Sequence, residues 1–259
     1  MSKEQRHFKT LIISDIHLGY KFSRTKEVTN FLKHYSCETL ILCGDIIDGW
    51  AILRGKKEKW KTTHSGFIRQ ILKMQNKTKI YYLRGNHDDF LGRLIPLQLN
   101  NISLLENLIY ESCGKRYFIL HGDVFDSPSA KLAWVSKIGS VGYSLLLNAN
   151  NLYNRYRVKR GLPEYSFAAK VKQKVKSSVT YTTHFEDKVI NLAKANNCDA
   201  AICGHIHHPE IRQMGDILYM NSGDWVESMT ALTEDFDGQW NLLYYKDLNL
   251  TDKETSDLK

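Results

Sequence analysis

The sequence predicts an α/β fold of four layers, a central β-sandwich flanked by helices. Three observations carry that expectation. Five short apolar runs (TLIIS, TLILC, KIYYL, RYFIL and DAAIC) each stop abruptly at Asp15, Gly44-Asp45, Arg84-Gly85-Asn86, His121-Gly122-Asp123 and Gly204-His205. Runs of four to five apolar residues closed by turn signals fit buried strands. Helical patterns separate the first of them, as in Val28, Phe31, Leu32 and Tyr35, and again in Phe67, Ile68, Ile71 and Leu72. Strand and helix in alternation imply βαβ units and a largely parallel sheet.

The pattern changes after His121. From about Asp126 to Asn197 no convincing strand appears, and several stretches read as helix. A single domain over residues 1–259 is therefore expected, with a helical cap inserted at about 127–197. The tail, ILYMNSGDW and then QWNLLYY, returns to strand-like alternation and closes a second sheet.

Composition fits one substantial core, since 42% of the 259 residues are hydrophobic and only 4 are proline. No linker, repeat or low-complexity tract interrupts the chain. A formal net charge of +8 points to an anionic partner, or else to a solvated lysine-rich surface. The five cysteines form no CxxC pair, and Cys43 and Cys203 read as small buried thiols. The amino terminus lacks the apolar stretch of a signal peptide, and no run approaches a membrane span. A cytoplasmic location is expected, with peripheral contact at the inner membrane left open.

The chemistry lies at the strand ends. Asp15-Ile-His17, Gly44-Asp45-Ile-Ile-Asp48, Gly85-Asn86-His87-Asp88, His121-Gly122-Asp123 and Gly204-His205-Ile-His207 each follow a predicted strand. Taken singly, each is a common turn or a hydrogen-bonded histidine. Together they bring acids, imidazoles and one amide to one sheet edge, where buried charge needs a partner, and metal ions are the shared partner that fits. Asp15 and His17, two apart, would share a face on a regular strand, whereas a turn could splay His205 and His207 toward two metals. The glycines at 44, 85, 122 and 204 permit turns and leave room beside the ligands.

In order and with every ligand position filled, these motifs resemble the calcineurin-like metallophosphoesterases, whose pattern is D-x-H, G-D-x-x-D, G-N-H-D/E, a later His and G-H-x-H. The resemblance spans Asp15 to His207. It implies a metallophosphoesterase fold holding two divalent metals: Asp15, His17 and His207 on one, Asn86, His121 and His205 on the other, with Asp45 bridging. Ligands of mixed oxygen and nitrogen favour Mn²⁺, with Fe or Zn²⁺ as alternatives. By the same resemblance His87 protonates the leaving oxygen or stabilises phosphoryl charge, and Asp48 holds its imidazole, unless Asp48 only caps a turn. Asp88 and Asp123 are expected to orient ligand imidazoles.

Within that family the chain is most similar to the UDP-2,3-diacylglucosamine pyrophosphatases (hydrolases) of lipid A synthesis, which share a passage like His121-Gly-Asp-Val-Phe-Asp126 into a helical cap. That resemblance implies a pyrophosphatase releasing UMP from a nucleotide-linked lipid. In the cap, Ile138, Val141, Tyr143, Leu145, Leu146, Leu147, Leu152 and Tyr153 precede Arg155, Arg157, Lys159 and Arg160. Apolar residues beside a basic cluster suit an acyl chain with an anionic headgroup, or an anionic membrane; a cap helix with a solvated basic face is the plainer reading. The basic runs Arg54 to Lys61 and KVKQKVKSSV add positive charge.

The chain departs from that branch at His87, where the branch carries arginine, and at Asn221 to Trp225. A phosphodiesterase acting on nucleic acid or a small nucleotide is the alternative, disfavoured for nucleic acid because no stacking platform interleaves the basic residues. Asp48 is followed by Gly49-Trp50 rather than the Arg-Gly of protein phosphatases. A non-catalytic scaffold would show lost ligands, and none is lost.

Overall fold

The computed structural model describes residues 6–53, 60–125, 153–154, 156–161 and 181–248. The chain forms two compact units, one of Met1–Asp123 with Val189–Lys259 and one of Val124–Lys188.

The first unit carries both sheets. Its strands are β1 (His7–Ile13), β2 (Ser36–Cys43), β3 (Lys79–Leu83), β4 (Leu97–Leu99), β5 (Ile102–Leu105), β6 (Asn107–Ser112) and β7 (Lys115–Leu120). β8 (Ala200–Cys203), β9 (Glu210–Met214), β10 (Ile217–Asn221), β11 (Thr230–Glu234) and β12 (Trp240–Tyr244) follow. One sheet runs β12-β11-β1-β2-β3-β5-β4, the other β6-β7-β8-β10-β9. β1, β2, β3 and β5 are mutually parallel, as are β7, β8 and β10. All five predicted strands are present, each in the parallel part of a sheet. Strands β4 to β6, β9 and β11 are not foreshadowed by the sequence, because their short, polar-interrupted runs give little signal.

Period-two alternation distributes the apolar residues between two cores. Leu11, Ile13, Leu40 and Leu42 face α1 (Thr25–His34) and α3 (Thr62–Met74), where Val28, Phe31, Leu32, Phe67 and Ile71 complete the layer. Ile12, Ile41 and Cys43 face the other sheet and pack with Tyr117, Ile119, Ile202 and Met220. Cys43 and Cys203 are fully buried thiols. Tyr35 caps α1 in an extended conformation rather than continuing it, and Leu72 faces outward, 48% exposed. A five-residue helix, α2 (Gly49–Leu53), follows the second strand–loop motif.

In the second unit the described part includes helical residues 153–154 and 156–159 and the start of α4 (Tyr181–Ala195), which runs on into the first unit. Phe125 and Phe185 meet edge to face there, with ring centroids 5.8 Å apart. The apolar stretch from Ile138 to Leu152, Arg155, the KVKQKVKSSV run and residues 54–59 of the other basic run lie outside the described residues. No described helix is long and apolar enough to cross a membrane.

Candidate metal centre

Every strand that delivers a candidate ligand is parallel to its neighbour in its own sheet, and the residues beyond the carboxyl ends of both sets meet in shared clusters. Asp15 and His17 follow β1, Asp45 and Asp48 follow β2, and Asn86 and His87 follow β3. His121 follows β7, and His205 and His207 follow β8.

Asp15 and His17 are not on a regular strand. They sit beyond its end with φ of 53° each, and Asp45, His205 and His207 also have positive φ, at 54°, 65° and 52°. Left-handed backbone is costly for a residue with a side chain, and clusters of it mark functional sites. Here it sends Asp15 and His17 into one group with His207, while His205 joins Asp45 and His121. His205 and His207 are splayed to separate clusters, as a turn would require. Backbone hydrogen bonds hold the conformation: Asp15 N–H to Gly44 O at 3.0 Å, His17 N–H to Asp45 O at 2.9 Å, and Trp225 N–H to Asp15 O at 3.0 Å.

The glycines make room for the ligands themselves. A Cβ at Gly204 would stand 2.6 Å from Asp15 Oδ2, one at Gly44 would enter the His121 ring, and one at Gly85 would meet Asp45 Oδ1.

Charge balance shows what the cluster lacks. Burial pushes the Asp15 and Asp45 carboxyls up, but the neighbouring imidazoles outweigh it and hold both below the usual carboxylate range. For Asp15 the imidazoles are foremost His207 and then His121, and for Asp45 they are His121, His17 and His87. Conversely, burial lowers His17 but Asp48, Asp45 and Asp15 lift it to about 9, and Asp45 lifts His121 well above its ordinary value. The carboxylates thus favour positive charge at His17 and His121, the balance that a bound cation would supply.

The donor atoms fit a divalent cation. Asp15 Oδ1, His17 Nε2, Asn86 Oδ1 and His121 Nε2 are all buried with no hydrogen-bond partner among the described residues. Such orphaned atoms are costly unless something binds them. His207 Nε2 lies 3.1 Å from Asp15 Oδ1 and His121 Nε2 3.3 Å from Asp45 Oδ2, close but out of hydrogen-bond alignment. His121 Nδ1 is 2.9 Å from Cys43 O. A carbonyl only accepts, so Nδ1 carries the hydrogen and neutral His121 presents its Nε2 lone pair.

His87 stands beside this cluster. Its backbone N–H donates to Asp45 Oδ1 at 2.8 Å, its carbonyl accepts from Gly49 N–H at 2.9 Å, and its Nδ1 lies 3.1 Å from Asp48 Oδ1. Asp48 has the turn-capping role as well, accepting Ala51 N–H at 2.7 Å, while its other oxygen lies 3.7 Å from His17 Nδ1.

Two expectations are corrected. Asp88 orients no imidazole: it accepts Ile46 N–H at 2.9 Å, Tyr82 O–H at 2.7 Å and Gly85 N–H, tying two ligand loops together. Asp123 pairs with Arg84 at 3.6 Å, and the Cys43 carbonyl orients His121 instead.

Other supports had no clear signal in the sequence. Asn221 donates to Gly204 O at 2.7 Å and accepts Gly223 N–H at 2.9 Å, bracing the His205 loop. Trp50 stacks on His87 with centroids 4.3 Å apart. NSGDW stood out only as a departure, and Trp50 only as the neighbour of Gly49. Arg157, Lys159 and Arg160 belong to the second unit, where Arg157 lies over Tyr153 at 5.7 Å and Arg160 over Tyr156 at 5.2 Å.

Comparison with known proteins places this geometry. The Calcineurin-like phosphoesterase family matches residues 8–209. UDP-2,3-diacylglucosamine hydrolase of Blochmanniella pennsylvanica is 26% identical over 226 residues, 79% of this chain and 81% of that protein. The protein of the same name from Coxiella burnetii is 25% identical over 249 residues, 92% of this chain and 98% of its own length. Among solved structures, the hypothetical protein PH1004 of Pyrococcus horikoshii shares the fold, with a TM-score of 0.50 at 10% identity, covering 97% of this chain and 91% of that one.

Proposed function

The chain belongs to the calcineurin-like phosphoesterase family, and on that premise we propose that it is a dinuclear pyrophosphatase. Its substrate is UDP-2,3-diacylglucosamine or a closely related nucleotide-linked lipid, cleaved to UMP and a lipid sugar phosphate. The observation that carries the metal-dependent chemistry is the set of orphaned buried atoms on Asp15, His17, Asn86 and His121. Asp15, His17 and His207 would hold one metal, and Asn86, His121 and His205 the other. Asp45 suits the bridge, because its Oδ2 lies 3.8 Å from His17 Nε2 and 3.3 Å from His121 Nε2, one from each cluster.

Mixed oxygen and nitrogen donors without cysteine suit Mn²⁺, with Fe or Zn²⁺ as alternatives. Two such ions, when bound, supply a hydroxide nucleophile at neutral pH and neutralise phosphoryl oxygens. The chain's own contribution is proton and charge placement. With Nδ1 3.1 Å from Asp48 Oδ1 in an ion pair, His87 would use Nε2 to donate a proton to the leaving oxygen or a hydrogen bond to the phosphoryl group. Asp48, which the His17 and His87 imidazoles hold below the carboxylate range despite its burial, stays anionic to orient that ring.

The lipid-linked substrate rests on the similarity to the two named hydrolases and on the basic residues Arg155, Arg157, Lys159 and Arg160, which would take an anionic headgroup at the surface of an anionic membrane. A cytoplasmic protein bound peripherally to the inner membrane follows from that reading.

A second reading, a diesterase acting on a small nucleotide, is favoured by the formal net charge of +8 and by Gly85-Asn86-His87-Asp88, which follows the general metallophosphoesterase pattern. One assay separates them. Mn²⁺-supplemented protein is offered UDP-2,3-diacylglucosamine, bis(p-nitrophenyl) phosphate and single-stranded DNA, and UMP release from the lipid is expected. Turnover of the diester or DNA with none of the lipid overturns the substrate assignment.

A further inference from the structure

Nothing in the metal set explains why an indole lies against His87. Trp50 is the second residue of α2, and its ring sits 4.3 Å from the His87 ring at 35°, a tilted stack. The His17 ring meets His87 at 4.6 Å and 89°, edge to face. Asp48 Oδ1 lies 3.1 Å from His87 Nδ1. The two aromatic neighbours limit rotation about the last side-chain torsion, while the Asp48 contact is an ion pair out of hydrogen-bond alignment and does not fix the ring plane by itself. That torsion is broad and soft in histidine when nothing packs against the ring.

Trp50 is in turn held by the backbone that positions His87. Gly49 N–H donates to His87 O at 2.9 Å, Ala51 N–H donates to Asp48 Oδ1 at 2.7 Å, and a Cβ at Gly49 would stand 2.9 Å from the Phe90 ring. The turn of α2 thus locks onto the loop after β3, and the indole travels with it. Trp50 is 38% exposed, so burial of its own surface is not its main contribution.

We propose that Trp50 is a positioning residue, an aromatic backstop that fixes the plane of His87 so that its Nε2 faces the leaving oxygen. The role depends on the reading of His87 as the proton donor, and acts through that ring alone. An effective molarity advantage demands that the reacting atoms be held in line, and a loosely held acid forfeits much of it.

The test is a double-mutant cycle on the Mn²⁺-loaded enzyme with bis(p-nitrophenyl) phosphate, together with ring-carbon NMR relaxation of His87 in the metal-free protein. Trp50→Ala is expected to lower kcat by roughly 10-fold with KM little changed, while Trp50→Phe, which keeps a ring face, restores most of it. In a His87→Ala background Trp50→Ala should cost nothing further, since both act as one unit. His87 ring mobility should rise in Trp50→Ala and stay low in Trp50→Phe.

Equal losses from Trp50→Ala in both backgrounds, or unchanged ring mobility, overturn the backstop. Full activity of His87→Ala instead overturns the role given to His87, and the relaxation measurement still decides whether Trp50 orders the ring.

Discussion

The backbone N–H of His87 donates to Asp45 Oδ1 at 2.8 Å. The carboxylate that faces both clusters therefore also anchors the loop bearing the proposed acid. Asp45→Asn keeps an oxygen able to accept that bond but removes the charge. The variant should fold, with Mn²⁺ content by elemental analysis falling below two per chain and turnover dropping at least ~100-fold. Two tightly held metals in Asp45→Asn would refute the bridge.

His87→Ala separates metal binding from catalysis. No metal-ligand role is assigned to His87, so the metal content should match wild type. General acid–base groups typically contribute about 10²–10⁴-fold, and kcat should fall within that range. Stopped-flow or steady-state release of p-nitrophenol reads it directly.

Two glycines give opposite outcomes. Gly204→Ala places a methyl group 2.6 Å from Asp15 Oδ2 and beside Ser14. The neighbours are buried and must shift, so about 1–3 kcal/mol of stability and most of the activity should be lost. Gly66 lies within α3, where an added Cβ meets nothing within 4 Å. Gly66→Ala should raise stability by about 0.5–1 kcal/mol in a denaturant titration, through helix propensity alone.

Glu227 predicts a pH dependence. Burial raises its carboxyl from 4.5 to about 7, and its Oε1 has no hydrogen-bond partner among the described residues. The folded protein thus holds the proton more tightly than the unfolded chain, so stability falls as pH rises from about 4.5 to about 7. Glu227→Gln removes the burden of ionising a buried acid. Its unfolding free energy from denaturant titration should exceed wild type at pH 8 by about 1–2 kcal/mol after allowing for partial exposure, and match it at pH 4.

The basic residues of the second unit test the lipid reading. Neutralising Arg155, Arg157, Lys159 and Arg160 together should raise KM for UDP-2,3-diacylglucosamine about 10-fold or more and leave the small diester nearly untouched. Equal losses on both substrates would remove these residues from substrate binding.

The strands of the five apolar runs, and the placement of the seven candidate ligands at their ends, were legible in the sequence because each pattern is local: an apolar run, then an acid, amide or imidazole within a few residues. The long-range supports were not. Asp88 holds Ile46, and Asn221 holds Gly204, across 42 and 17 residues, and neither spacing follows a period. The stack of Trp50 on His87 depends on a five-residue helix too short to leave an amphipathic signature. The orientation of Asp15 and His17 escapes the sequence for a related reason. Regular-strand geometry assigns them a shared face, but both lie past the strand in left-handed backbone, which composition alone does not reveal.

The two clusters each draw on both sheets. Asp15 and His17 come from the seven-stranded sheet and His207 from the five-stranded one, while Asp45 comes from the first and His121 and His205 from the second. Occupied, each cluster would act as a rivet through the sandwich at its open end. Stripping the metals would then unpin the layers there, and amide exchange at the ends of β1 and β8 should quicken well before the distant helix-packed core loosens. The same atoms that would cut a phosphate bond would also clamp the molecule shut.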